Sequence, residues 1–417
     1  MPDLRAGVAM RDITPPPGLI MSGFGARTAP AEGTHDPLTV RAVAVDDTAI
    51  VCADLIGFRA DSAERIRAGC RLPADRVIVA ASHTHGGPVS MPGRLGAPLD
   101  RDWLARVERQ AIAAIDDAVA AQRPARLSFG TGTDPGVVKN RRHPGGLVDG
   151  TPRLLRLDDL SGRAIAFVAS YACHPVVLGP LNLRYTADYQ GYLRTALEAT
   201  APGSVALFLT GCTGDSNTGH SSLASMNGLP DPARSFEVAE AHGRRIAAAM
   251  LAAPLHPLAG LVSAKVGTVP LPLEWREDGT PEQLAQRWRA EQAGANPFWR
   301  ATLQSWIDWA ETVAATDLRP HPARVTVLNW AGLRIVALPG EIFSATGIAI
   351  RAALDGPAIT VSYAEDNPGY ICPRDEFAHG GYEPAEAHRY YGMPAAFAPG
   401  AAELLAQNAI GLARRVG

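Results

Sequence analysis

The stretch RVIVAASHTHGGP, residues 76–88, says most about how this chain folds. Its first half is a short apolar run, which predicts a buried strand, and the run ends at His83 and His85 before a Gly-Gly-Pro turn. On an extended backbone, residues two positions apart project from the same face, so both imidazoles can enter one site. Imidazole binds zinc, copper, iron and nickel, and the motif therefore predicts half of a metal centre. The alternative is one histidine packed in the core and the other solvated.

Strand-like and helix-like segments alternate over most of the 417 residues. Apolar runs predict strands at 41–45, 49–55, 76–82, 125–129, 153–158, 164–171, 204–209, 323–329, 333–337 and 358–363. Helical spacing predicts helices at 61–70, 100–121, 189–199 and 236–252. This alternation is typical of the α/β class, so we expect a central mixed β-sheet flanked by helices, in a single domain spanning residues 1–417.

Residues 271–320 differ in composition, because five of the seven tryptophans lie there. Thr280 is followed by a proline and, three positions on, by Gln283, a capping box that predicts the start of a helix. We therefore expect a helical, cap-like insertion at 271–320. Its tryptophans can pack as a helical hairpin onto the sheet, or they can form an aromatic wall over an apolar substrate.

The composition limits which classes of partner and which cellular compartment are expected. The net charge of −3 and the lack of a basic cluster argue against nucleic acid. No apolar run approaches the ~18–20 residues needed to cross a bilayer, and no secretory leader is visible, so we expect no membrane insertion. Five cysteines without a Cys-x-x-Cys motif fit a reducing compartment. These features predict a cytoplasmic protein, and they leave room for a homo-oligomer.

Three further strand-to-turn junctions carry a side chain that can bind a metal. They are His174 before a proline, Glu341 after Pro-Gly, and Tyr370 after another Pro-Gly. Loops that follow the strand ends of an α/β sheet meet in one crevice, so these side chains can converge with the histidine pair. Taken singly, Glu341 also fits a solvated loop acid and His174 a core histidine.

Taken together and in order, these motifs resemble those of the neutral ceramidase family. The matching segments are Asp12–Pro16, Gly23-Phe24, Ser82–Pro88, Asn140–Pro144, Tyr171–Pro175, Asp188–Tyr192, Gly214-Asp215, Pro339–Glu341 and Gly369-Tyr370. The resemblance implies a zinc amidase that cleaves the N-acyl bond of ceramide on an α/β catalytic domain. It implies one zinc ion per chain, with His83, His174, Glu341 and Tyr370 as ligands.

The resemblance also implies roles for residues beside the metal. His85 would transfer protons, and Arg141 would stabilise the oxyanion that forms at the scissile carbonyl. Asp188, Asp215 and Ser216 would support the ligands or contact substrate. Asp188 also fits a simpler role as the N-cap of the helix that follows it.

Asn217 departs from the family pattern, which has at this position a serine proposed to take part in catalysis. An amide cannot act as a nucleophile, although it can donate a hydrogen bond to an oxyanion, and Ser216 is one residue out of register. The departure favours water activated by zinc over a serine mechanism. The sequence also ends at Gly417, soon after the last motif, so we expect no C-terminal sandwich domain and a soluble substrate in place of membrane ceramide.

The sequence thus predicts a zinc-dependent hydrolase that cleaves the amide bond of a soluble, N-acylated small molecule. Zinc-dependent cleavage of a lactone, an ester or a peptide bond at the same site remains an alternative. A third possibility is a non-catalytic, zinc-containing binding protein. The replacement of the family's serine by Asn217 would be the evidence for it.

Overall fold

Two β-sheets share one apolar core, and helices cover the outer face of each sheet. This is seen in a computed structural model, which describes residues 4–25, 27–222, 224, 229–313 and 318–416. The expected α/β architecture, with a central mixed sheet flanked by helices, is confirmed. The second sheet is an addition that the sequence pattern did not predict.

The larger sheet contains eight strands of five or more residues. They are β1 (Arg5–Asp12), β2 (Thr39–Val45), β3 (Thr48–Ala53), β4 (Val77–Ala81), β5 (Arg123–Thr131), β6 (Arg153–Asp159), β7 (Ala164–Tyr171) and β8 (Val205–Thr210). Their order in the sheet is β8-β7-β6-β5-β1-β2-β3-β4, and the short segment His256–Pro257 pairs with β5. The outermost pairs, β7 with β8 and β3 with β4, are parallel, whereas the other neighbours are antiparallel.

The smaller sheet contains β9 (Val262–Leu271), β10 (His321–Trp330), β11 (Leu333–Ala337) and β12 (Ala358–Val361), in that order, with β11 and β12 parallel. Successive side chains of a strand point to opposite faces. Along β10, Val325 and Val327 enter the core under the C-terminal helix, whereas Leu328 and Trp330 enter the core shared by the two sheets. Both faces of this strand are therefore buried, which places the smaller sheet between the larger sheet and a helical layer.

Most of the helices pack on one of the two sheets. The bounds are α1 (Ala60–Gly69), α2 (Arg101–Ala120), α3 (Tyr189–Ala199), α4 (Phe236–Leu251), α5 (Pro281–Gln292), α6 (Pro297–Thr312), α7 (Ser344–Ala352), α8 (Tyr382–Ala385) and α9 (Ala401–Arg414). The pairs α1/α2 and α3/α4 pack on the larger sheet, and α7 and α9 pack on the smaller one. Among the residues described, no helix combines the length and apolar composition that crossing a membrane requires.

The predicted insertion is a helical hairpin, α5–α6, with a small core of its own. Thr280 and Gln283 form the expected capping box at the start of α5. Trp288, Trp306 and Trp309 are buried in the hairpin core, which packs against Tyr390. In the part of the chain that the structure describes, the tryptophans therefore pack on one another and on the 388–393 segment rather than on a sheet. Residues 314–317 of the predicted insertion lie outside the described part of the chain.

Candidate metal centre

Backbone hydrogen bonds join the ends of strands from both sheets. The amide of Ala81, at the end of β4, donates to the carbonyl of Tyr363, which follows β12, at 3.0 Å. The amide of Ser362 donates to the carbonyl of Thr210, the last residue of β8, also at 3.0 Å. Beyond β11, Glu341 lies in parallel register with Tyr370. The predicted convergence of strand ends is thus present, and it draws on both sheets.

Three buried or half-buried histidines meet at this junction. The nearest nitrogens of His83, His85 and His174 all lie within 4.8 Å of one another, a grouping that can hold a metal ion. The Nε2 atoms of His83 and His174 are 2.9 Å apart, and those of His85 and His174 are 3.3 Å apart. His83 adopts a left-handed backbone, with φ of 64°, a conformation that surrounding structure must enforce. We name His83, His85 and His174 the histidine cluster.

The ring orientations in the cluster fit a cation. The Nδ1 of His83 donates to the carbonyl of Ile56 at 2.6 Å, which leaves a lone pair on its Nε2. The His174 ring likewise hydrogen-bonds the backbone of Thr213. Two Nε2 lone pairs that face each other at 2.9 Å repel, whereas a cation attracts both. A second nitrogen fixed by a carbonyl is the usual arrangement of a metal-binding histidine, so these residues suit a divalent metal ion.

Glu341 brings a carboxylate to the same point. Its Oε1 and Oε2 lie 3.5 Å from His83 Nε2 and 3.8 Å from His174 Nε2, respectively. The hydroxyl of Tyr391 donates to Oε1, and that of Tyr363 donates to Oε2 at 3.4 Å. Two imidazoles and a carboxylate, without cysteine, form a donor set of the catalytic zinc type.

Burial sets the protonation states of these groups. It lowers the pKa of His83 to about 3, and it lowers the pKa of His85 and His174 well below the usual imidazole range; the positive charge of Arg141 acts in the same direction. The three rings are therefore neutral at pH 7, as metal ligands must be. Burial also raises the pKa of Glu341 to about 8, so its ionisation depends on a neighbouring positive charge.

Arg141 lies beside the cluster in a fixed orientation. Its Nε donates to Glu383 at 2.9 Å, and its Nη2 donates to the hydroxyl of Tyr370 at 2.8 Å. The Tyr370 hydroxyl also hydrogen-bonds Glu341. The structure thus brings together all four predicted ligands and Arg141. It also places His85, predicted as a proton-transfer group, within ligand reach of the other two histidines.

A short N-terminal segment holds His85 in place. A Cβ atom on Gly23 would lie 2.3 Å from Nδ1 of His85, and the ring of Phe24 packs on the imidazole at 4.8 Å. The buried guanidinium of Arg27 donates to the His85 carbonyl at 2.7 Å and also bonds the carbonyls of Ser22, Gly179 and Pro180. The direction in which His85 points therefore depends on Gly23, Phe24 and Arg27.

The other predicted residues support the surrounding loops. Asn217 uses its amide within its own turn, donating to the carbonyl of His220 at 2.7 Å and accepting from the amides of residues 219 and 220. Asp215 accepts from both the backbone and the hydroxyl of Ser344, at 2.8 Å each, and Ser216 Oγ lies 3.2 Å from that hydroxyl. Asp188 caps α3, accepting from the amide of the next residue at 2.6 Å, which confirms its simpler role.

Several residues that contact the cluster were not predicted from the sequence. Tyr363 stacks on the His83 ring at 3.8 Å, and its hydroxyl also lies 3.4 Å from Nδ1 of His174. Tyr363 ends an apolar run that predicts a strand, so its convergence with the other strand-end residues could have been predicted. Tyr391 and Glu383 lie in the 374–393 segment, whose lack of periodicity gave no such signal.

A cavity of about 670 Å³ opens onto the cluster. His85, His174, Arg141 and Tyr370 line one part of it, and residues of α6 line another. Apolar side chains form a further part of its wall: Ile20, Met21, Phe24, Leu95, Pro98 and Val176. This volume is in the range of small-molecule sites.

No family model and no curated protein sequence matches the chain. Among solved structures, it is similar to a neutral ceramidase from Pseudomonas aeruginosa, with a TM-score of 0.77 and 18% identity over 99% of this chain and 75% of the other. A ceramidase complexed with C2 gives a TM-score of 0.76 and 18% identity, over 99% and 76% of the two chains. The resemblance predicted from the motifs is thus confirmed at the level of the fold. The chain has the fold of neutral ceramidase.

Proposed function

We propose that the protein is a zinc-dependent hydrolase that cleaves the amide bond of a soluble small molecule at the histidine cluster. The observation that carries the proposal is the pair of Nε2 atoms, 2.9 Å apart and flanked by the carboxylate of Glu341, in neutral rings beside a cavity of small-molecule size. A purely structural zinc site would draw more on cysteine. The likeness to ceramidase, whose reaction is amide hydrolysis, supports the choice of bond.

The residues of the site divide the chemistry between them. His83, His174, Glu341 and Tyr370 would hold the zinc ion, which would supply Lewis acidity and a water that ionises near neutral pH. His85 lies on the cavity wall, where its imidazole accepts the proton of the attacking water and returns it to the leaving amine. The remaining N–H groups of Arg141 donate to the oxyanion that develops on the scissile carbonyl.

Arg141 can act without rearranging, because Glu383 and Tyr370 already fix its guanidinium. A preorganised oxyanion donor of this kind typically contributes about 3–4 kcal/mol to lowering the barrier. The side-chain bonds of Asn217 leave it a structural role in the 217–220 turn, so the proposed mechanism relies on Arg141 for this step.

Metal analysis and a substrate screen test the proposal. The purified protein is expected to hold one zinc ion and to hydrolyse an amide, with activity lost to a chelator and restored by zinc. Cleavage of lactones, esters or peptides, but not of simple amides, would change the bond assigned to the site. Stoichiometric zinc without turnover would favour a binding protein. A His83→Ala variant that keeps both zinc and full rate would overturn the assignment.

A further inference from the structure

The side of α6 that faces the cavity is polar. Thr302, Gln304, Ser305, Asp308 and Thr312 line the cavity, and the last three recur every three or four residues, which is one face of a helix. The hairpin tryptophans are buried in the hairpin core, and Trp309 is the one that also reaches the cavity. The sequence left open an aromatic wall over an apolar substrate. Along α6, the cavity wall is instead mostly polar.

Asp308 gives this face a negative charge. Within the described part of the chain it is the one carboxylate on the cavity wall, and its Oδ1 accepts from Gln304 Nε2 at 2.8 Å. No arginine, lysine or histidine among the described residues forms an ion pair with it. Of the three arginines that the described residues place on the wall, two are paired, Arg141 with Glu383 and Arg389 with Glu277 at 2.8 Å, whereas Arg27 donates to backbone carbonyls.

Three tyrosine rings connect the cluster with this face. Tyr370, which contacts Arg141 and Glu341, packs on Tyr382 at 5.6 Å between ring centroids, and Tyr382 packs on Tyr390 at 5.9 Å. Tyr390 in turn packs on Trp306 of α6 at 6.2 Å. All three tyrosines line the cavity, and we name them the aromatic row. Aromatic faces attract cations, whereas they only pack against neutral chains.

We propose that the cavity binds a substrate with a protonated amine at the end remote from the scissile amide, and that Asp308 determines this specificity. The inference rests on the proposed function for the position of the scissile bond, and it deepens that function by naming a cationic substrate class. A neutral lipid chain along α6 would displace water from Asp308 and its polar neighbours without replacing their hydrogen bonds, which carries a free-energy penalty. A cationic chain extends along the aromatic row and pairs with the carboxylate.

A pair of nearly isosteric compounds tests the charge alone. N-acetyl-1,6-diaminohexane carries a terminal ammonium at pH 7, whereas 6-acetamidohexan-1-ol carries a hydroxyl at the same position. Binding to the zinc-loaded protein is measured by calorimetry and hydrolysis by acetate release, with chains of four and eight methylenes as a length series. The ammonium compound is expected to bind about 5- to 10-fold more tightly at low salt.

Asp308→Asn should bring the two affinities within about twofold of each other, because it removes the charge and keeps the shape. Glu311→Gln is the matched control: it removes the same charge from the same helix, but Glu311 pairs with Arg289 and does not line the cavity. A preference that survives Asp308→Asn, an equal affinity for both compounds, or no binding of either would overturn the cation site. Selective binding without acetate release would support the cation site and contradict the proposed reaction. Acetate release without selectivity would support the proposed reaction and contradict the cation site.

Discussion

The histidine cluster, together with Glu341 and Tyr370 beside it, is assembled from the strand ends of two sheets, whereas the α5–α6 hairpin is a continuous segment with its own tryptophan core. In the cluster, each ring is fixed by a neighbour from a distant part of the chain, such as the carbonyl of Ile56 for His83. The hairpin is joined to the 388–393 segment by a few bonds, among them Trp309 Nε1 to the carbonyl of Met393 at 2.8 Å. The proposed chemistry thus depends on the whole framework, and the proposed selectivity on a local unit.

Removing a cluster nitrogen should have the largest effect. His174→Ala deletes one of the two facing Nε2 atoms, so we expect zinc affinity to fall by at least about 100-fold and hydrolysis to vanish with it. Metal titration by calorimetry measures the loss. His256→Ala, which changes an exposed histidine away from the cluster, is the control. Unchanged zinc affinity in His174→Ala would show that the two facing nitrogens do not bind the metal.

Gly23→Ala should have an intermediate effect. Its methyl group would lie 2.3 Å from Nδ1 of His85, on a backbone with φ of +95°, so the ring or the loop must move. We expect hydrolysis to fall about 10- to 100-fold, as misplaced catalytic groups do. Substituting cobalt for zinc gives a visible spectrum that should shift if the ring moves.

Gly25→Ala provides the matched control, since its methyl group would meet its nearest neighbour, Cε1 of Tyr390, at an ordinary 3.5 Å. Equal rates and equal cobalt spectra for the two alanine variants would contradict the support that Gly23, Phe24 and Arg27 are inferred to give His85.

Acid should destabilise the folded, zinc-free protein through the histidines of the cluster. The folded pKa of His83 is about 3, against a usual value of 6.5, so between these values the unfolded chain binds protons that the folded chain excludes. The free energy of unfolding of the zinc-free protein should therefore decrease as the pH falls from 6.5 towards 3. Calorimetric Tm values across this range measure the effect. The decrease should be shallower in His83→Gln, and identical slopes would contradict the assignment.

The hairpin should affect the cluster least. Trp288→Ala removes a buried ring and should cost about 3–5 kcal/mol in the stability of the hairpin. Because the hairpin has its own core, zinc affinity should change less than about twofold. Hydrogen exchange reports the local loosening of 281–312, with Arg300→Ala as an exposed control. A matching loss of zinc affinity in Trp288→Ala would mean that the two regions are coupled.

The strands and most helices were predictable because their signals are local. Apolar runs located β4, β7 and β11, and the turns that follow them pointed to His83, His174 and Glu341. Convergence of these residues followed from the general behaviour of strand ends. The placement of strands in two sheets was not predictable, because pairing is decided by contacts between distant segments and both faces of β10 are apolar.

The remaining contacts of the site lacked a local signal. Glu383 and Tyr391 lie among short helical turns between 374 and 393, and only the tertiary structure brings them to Arg141 and Glu341. Arg27 is similar, because a buried arginine that bonds only backbone carbonyls looks in the sequence like any loop cation. The sequence alone could have predicted a polar face on α6, but only the structure shows that this face lines the cavity.

The origin of the four predicted ligands has a consequence for the lifetime of the protein. His83 and His174 follow strands of the larger sheet, whereas Glu341 and Tyr370 follow strands of the smaller one. An ion bound by all four ties the two sheets together, and free zinc at 1,000 times its Kd would add about 4 kcal/mol to the free energy of unfolding. Cellular zinc supply would then set not only the fraction of active molecules but also how quickly proteases remove the rest.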